Sequence, residues 1–187
     1  IVGLGNPGKE YAQTRHNAGF WFVERLADRY GINLKADPKF HGYSGRGQVE
    51  GHDVRLLLPT TFMNRSSQSV APFAKFYQVA PESILIAHDE LDMDPGVIRL
   101  KTGGGHGGHN GLRDIVPHIG ANFHRLRIGI GHPGAKERVS GHVLGKAPSS
   151  EQALMDAAIA HALSQVKMLV SGQVPQAMNH INAYKPA

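Results

Sequence analysis

The chain has 187 residues, 41% of them apolar, with 20 Lys and Arg against 15 Asp and Glu and a formal net charge of +5. That length suits one domain of the usual ~100–200 residues with its own core, and the apolar share excludes a disordered chain. There is no cysteine, which excludes disulfides, thiol nucleophiles, iron–sulfur clusters and Cys-based zinc sites; no apolar run exceeds four residues, against the ~20 of a membrane helix.

In chain order, residues 1–4 read as a buried strand end and 5–15 as a loop. Asn17 is placed as an N-cap, with Phe20, Val23, Leu26, Ala27 and Tyr30 on one face of the helix that follows and Gly31 as its stop. Residues 40–49 and 53–58 read as strands joined by a turn at Glu50, Gly51 and His52. A helix over 66–77 is kinked or started late by Pro72. Short strands are predicted at 83–87 and 97–101, a glycine loop at 103–108, a helix at 110–119 and a strand at 126–131. Residues 133–146 read as irregular and mobile. Ser149 with Gln152 forms a capping box for a helix running to about Val170 and stopped by Gly172, and a last helix is expected near 175–184. Strands and helices alternate throughout, which predicts an α/β fold: one globular domain over 1–187, a mixed sheet with helices on both faces. No charged-then-apolar leader opens the chain, and a cysteine-free domain suits the cytoplasm, the expected location.

Charge is unevenly spread. Residues 95–146 hold eight Lys and Arg against Asp114 and Glu137, together with half of the twelve histidines. Such a concentration fits an anionic partner such as nucleic acid, or simply a solvated basic face.

Gly3, Gly5 and Gly8 match the dinucleotide pattern G-x-G-x-x-G. Pro7 removes one amide, however, and the next helix starts about nine residues later, so a turn presenting Asn6 is the better reading. His16 sits on a loop–helix junction, and His88-Asp89-Glu90 follows an apolar strand. If that strand neighbours the first one, Asp89 can orient His16 as a general base; otherwise 89–94 is a solvated acidic turn. The run of glycines around His106, His109 and Asn110 lets a ligand approach the backbone and supplies adjustable donors and acceptors, with a His-x-x-His metal site using Asp89 as the competing reading. Asn64 follows another strand, beside Met63, which also reads as simple packing. With Asn6 and Asn110 it could line a polar cleft for a peptide-like group.

The segments GLGNPGKEYAQTRHNAGF, PTTFMN, HDELD, GGGHGGHNGLRD and FHRLRIGIGHP, in this order, resemble bacterial peptidyl-tRNA hydrolase, and the resemblance covers essentially the whole chain. It implies a monomeric α/β enzyme with a twisted mixed sheet. The enzyme cleaves the ester between a peptide and the 3′ ribose of tRNA without metal or cofactor. It also implies that His16 and Asp89 are the catalytic pair and that Asn6, Asn64 and Asn110 bind substrate. Tyr11, Met63 and His109 then line the cleft, and Lys101, Arg127 and Lys136 meet tRNA phosphate. The departures are a slightly shorter loop before Phe123 and an opening at Ile1.

Overall fold

A computed structural model describes residues 1–187. Seven strands form one mixed sheet: β1 (Val2–Gly3), β2 (Lys35–Asp37), β3 (Gly42–Val49), β4 (His52–Pro59), β5 (Leu85–Glu90), β6 (Ile98–Thr102) and β7 (His124–Gly129). Their order is β2-β3-β4-β1-β5-β7-β6. The central four, β4, β1, β5 and β7, run parallel, and antiparallel strands close both edges. Seven helices complete the chain: α1 (Ala18–Arg29), α2 (Ser67–Phe76), α3 (Asn110–Ile119), α4 (Val139–Val143), α5 (Ser149–Ser164), α6 (Val166–Val170) and α7 (Val174–Asn182). No helix is long and apolar enough to cross a membrane.

The period-2 alternation of strand side chains divides the core between the two faces of the sheet. Leu56, Leu58, Leu85, Ala87, Leu126 and Ile128 pack with α1, α5 and α7 on one side. Leu57, Ile84 and Ile86 pack with Phe73 of α2 and Ile115 of α3 on the other. The mixed α/β sheet with helices on both faces is therefore as the sequence predicts. β5 is buried along its whole length, as a parallel strand covered on both faces should be. The first turn of α1 lies directly on the sheet, because a Cβ at Gly19 would collide with the carbonyl of Ala87 and one at Gly3 with the carbonyl of Gly19. Two glycines thus let the helix backbone touch β1 and β5.

Several boundaries differ from expectation. The predicted strand at 83–87 instead runs on through Glu90, so His88, Asp89 and Glu90 are buried strand residues and not a solvated turn. Residues 35–37 add an edge strand, and Phe40 belongs to a 3-10 turn before β3. The turn between β3 and β4 is Glu50-Gly51, with φ of 49° and 81°, the left-handed pair that suits a two-residue hairpin. The segment 133–146 is not irregular: it forms a 3-10 turn and α4. Ser149 is the first residue of α5, with no capping side chain, and Gln152 donates to Asp156 instead. The helix expected to reach Val170 breaks at Gln165 into α5 and α6.

Candidate active site

Chain order reverses at β1, whose followers lie on both sides of it in the sheet. Crevices at such a point, outside the C-terminal ends of parallel strands, are where open α/β sheets bind ligands. Here all four parallel strands point their C-terminal ends at one cleft of about 710 Å³. Asn6 follows β1, Met63 and Asn64 follow β4, Asp89 is the last residue but one of β5, and Lys136 lies beyond β7; all five line the cleft.

At its floor Asp89 is 3% exposed and accepts two hydrogen bonds. His16 Nδ1 lies 2.8 Å from Oδ2, and His109 Nε2 lies 2.8 Å from Oδ1. Burial pushes the Asp89 carboxyl up, but the charges of His16 and His109 and their hydrogen bonds outweigh it and hold it well below the usual carboxylate range. An ionised carboxylate cannot donate, so both rings donate to it. For His16, burial lowers the pKa and the Asp89 charge and hydrogen bond raise it, with a net upward shift.

The two histidines differ in what their second nitrogen does. His109 Nδ1 caps α3, accepting from the backbone N–H groups of Gly111 at 3.1 Å and Leu112 at 3.3 Å. With Nδ1 an acceptor and Nε2–H a donor, its tautomer is fixed and both nitrogens are spent. His16 spends only Nδ1–H; its Nε2 has no partner in the chain, and the residue lines the cleft. His16 can therefore accept a proton and His109 cannot without losing its cap.

The same logic bears on the metal reading. His16, Asp89 and His109 bring one ligand atom each within 4.8 Å, but His106 is not in that group. A metal on His109 Nε2 needs the proton on Nδ1, where two amide N–H groups already point. The donor set does not fit a His-x-x-His metal site.

The remaining predicted residues sort into two regions. Asn6, Tyr11, Met63, Asn64, His109 and Asn110 all line the cleft. Asn6 is held at three points. Its Oδ1 accepts from Met63 N–H at 2.8 Å, while its backbone N–H and C=O are both gripped by the side-chain amide of Asn17, at 2.8 and 3.0 Å. Asn17 lies at the predicted cap position but makes no capping hydrogen bond; this grip replaces it. With Oδ1 taken, Asn6 has its Nδ2 left to donate. Asn64 and Asn110 are exposed on the rim. Met63 does double duty, since it is also buried in the smaller core.

Lys101 and Arg127 lie outside the cleft lining, on β6 and β7. Arg99 stands opposite Arg127 and Lys101 opposite Arg125, so all four share one face of the sheet. Arg125 is buried, with its guanidinium donating to the carbonyls of Gly104, Gly105 and Ala121 and so anchoring the glycine loop. Lys101 is exposed, and Arg127 pairs through Nε with Glu90 Oε1 at 3.0 Å. Like charges set directly opposite one another are unfavourable, and here Arg125 is offset by loop carbonyls and Arg127 by Glu90.

Sequence reasoning missed Asn17's grip, Glu90, Arg113 and the apolar wall of Val139, Val143 and Leu144. It also missed Phe62, 56% exposed at the cleft and set edge-on to Tyr11 at 6.3 Å. An apolar ring next to Met63 and Asn64 was the available signal for Phe62; the α4 wall had none, because its role depends on Arg15 holding the carbonyl of His142.

Comparison with known proteins agrees with this picture. The model of one family, described as Peptidyl-tRNA hydrolase, matches residues 1–187. The peptidyl-tRNA hydrolase of Acinetobacter baumannii strain AYE is 87% identical over 187 residues, covering 100% of this chain and 97% of that one. That of Psychrobacter cryohalolentis is 62% identical over 185 residues, covering 99% and 96%. A crystal structure of the Acinetobacter baumannii enzyme superposes with a TM-score of 0.99 at 86% identity, covering 100% of this chain and 95% of the other.

Proposed function

The chain belongs to the peptidyl-tRNA hydrolase family and is a hydrolase of peptidyl-tRNA, and on that premise we propose that His16 is the general base and Asp89 its orienting partner. His16 Nε2 takes a proton from a water as that water attacks the ester carbonyl between peptide and 3′ ribose. The observation that carries this is the asymmetry of the two histidines on Asp89: only His16 keeps a nitrogen free for a proton. Histidine suits the task because its ordinary pKa of ~6.5 lies near working pH. Asp89 fixes the Nδ1–H tautomer and stabilises the imidazolium as it forms, the logic of a serine hydrolase triad with water in place of serine.

Asn6 Nδ2, pre-aimed by Met63 N–H and by Asn17, receives the developing oxyanion; a donor in that role is typically worth ~3 kcal/mol of barrier. The alkoxide of the ribose is then expelled and takes the proton back from His16. Tyr11, Met63, Asn64, His109 and Asn110 bound the space for the peptide. Hydrogen bonding by asparagines to its backbone would leave its side chains largely unread. Lys101, Arg127 and Lys136 hold tRNA phosphates without reading sequence. The proposed site needs no residue from a second copy, and the reading is of residues 1–187 as a single-domain monomer, working in the cytoplasm where its substrate is made.

The test is release of peptide from an N-blocked aminoacyl-tRNA by the wild type and by His16→Ala, with binding of uncharged tRNA measured in parallel. The reading expects turnover to vanish and tRNA binding to persist. Full rate in the variant would make another group the base.

A further inference from the structure

Glu90 is the residue next to Asp89 and the last of β5, and it has no part in the chemistry above. It is 8% exposed and lines the cleft. Its side chain lies on the same face of the sheet as Arg127, because His88 pairs with Arg127 and Glu90 with Gly129. An unpaired carboxylate here would repel a polyanionic substrate. Both of its oxygens are instead engaged: Oε1 accepts from Arg127 Nε at 3.0 Å, and Oε2 from the backbone N–H of Asp92 at 3.3 Å.

Arg127 spends only Nε on this pair. Its two terminal nitrogens make no hydrogen bond within the chain and point to no other carboxylate. Across the strand pair stands Arg99, and two residues earlier Arg125, so Arg127 has like charges as its neighbours on this face, both of them spent on backbone carbonyls. A long side chain on such a face has to be ordered when it meets phosphate, which costs roughly two- to tenfold in affinity. Holding Nε in advance leaves the terminal pair free in a fixed fork, the geometry that grips phosphate bidentately.

We propose that Glu90 is a positioning residue for tRNA binding: it anchors Arg127 through Nε so that the two terminal nitrogens face phosphate, and it ties that contact to the strand end carrying Asp89. This rests on the reading of Arg127 as a phosphate ligand.

The sign of the effect separates this from a simple charge effect. Removing a carboxylate near phosphate should tighten binding; removing an anchor should weaken it. The experiment compares Glu90→Ala, Glu90→Gln, Glu90→Asp, Arg127→Ala and the Glu90→Ala/Arg127→Ala pair. It reads KM and kcat on an N-blocked aminoacyl-tRNA, binding of uncharged tRNA by anisotropy, and melting temperature. Glu90→Ala and the too-short Glu90→Asp are expected to raise KM roughly two- to tenfold with a much smaller change in kcat. Glu90→Gln keeps an oxygen for Nε and drops the charge, giving up only the longer 3.3 Å acceptor for Asp92 N–H, and its KM is expected to stay near or below that of the wild type and well below that of Glu90→Asp. In the Arg127→Ala background Glu90→Ala should weaken binding no further, and should improve it if the then unpaired carboxylate repels the substrate. A fall in KM for Glu90→Ala, or a rise that persists without Arg127, overturns the proposal while leaving Arg127 as a ligand. A loss confined to kcat does the same, by moving Glu90's effect to Asp89. If Arg127→Ala alone changes neither KM nor tRNA binding, the phosphate reading falls and the proposal with it. Should Glu90→Ala fail to fold, the contrast between Glu90→Asp and Glu90→Gln carries the test.

Discussion

Replacing Asp89 by Asn probes the site more sharply than deleting it. Asp89 accepts from two N–H groups, one on each oxygen. An amide has one oxygen and one NH2, so it can satisfy only one donor. His109 cannot change tautomer, because its Nδ1 caps α3 with two backbone N–H groups. It therefore claims the amide oxygen. The NH2 then faces His16 Nδ1 and drives the His16 proton to Nε2, the nitrogen proposed to act as base. Holding a catalytic histidine in the wrong tautomer costs ~10⁴ in rate in comparable triads, or about 5 kcal/mol of barrier. Asp89→Asn should thus lower single-turnover peptide release by about that factor. The structure also specifies the rescue. In Asp89→Asn/His109→Ser the serine can still cap α3, but no ring N–H holds the amide, which is free to rotate and present its oxygen to His16 Nδ1–H. The double variant should run roughly tenfold faster than Asp89→Asn alone, within the range of coupling between touching residues. A folded double variant no faster than the single one would refute the tautomer argument, as would an Asp89→Asn enzyme within tenfold of wild type.

The base works when neutral, and Asp89 raises the His16 pKa above its ordinary value against the effect of burial. The rate constant kcat/KM should therefore fall as pH drops, with a midpoint above the ~6.5 of a free histidine; a profile flat from pH 6 to 9 contradicts this. His88 sets a separate, acid-side stability limit. Burial and the neighbouring His109 lower its pKa to about 3. Between that value and the ~6.5 of the unfolded chain the unfolded state binds more protons, so stability falls as pH falls, by about 1.4 kcal/mol per pH unit from this one group. Denaturant unfolding at pH 7 and pH 5 should show the loss, and His88→Phe should flatten the slope; an unchanged slope would locate the acid sensitivity elsewhere.

Much of the fold was legible because its signals are local. The apolar periodicity of α1, the Gly31 stop and the Glu50-Gly51 hairpin depend on near neighbours in sequence. So was the approach of His16 to Asp89, once the opening strand and the strand before Asp89 were taken as neighbours, which the parallel pairing of β1 and β5 bears out. What was not legible depends on distant partners. Nothing within 88–90 says that these polar residues are buried; the His16 and His109 that satisfy Asp89 lie 73 and 20 residues away, and the Arg127 that satisfies Glu90 lies 37 away. Asn17 has the residue type and place of a cap, yet its amide is drawn to Asn6, 11 residues earlier. The polar stretch 133–146 lacks an apolar period, and it is held by Arg15, which reaches across 127 positions to the carbonyl of His142.

β1 has only two residues and lies between β4 and β5, both of which come later in the chain. The chain therefore emerges during synthesis with its central strand unpaired, and the Asn6 side chain and His16 meet their partners only once residues 63 and 89 have followed. Local helices such as α1 can form early, but the cleft cannot, because Asn6 reaches Met63 and His16 reaches Asp89 only by closing loops of 57 and 73 residues. In refolding, helix content is therefore expected to return before hydrolysis, which waits for the long-range contacts that join Asn6 to Met63 and His16 to Asp89.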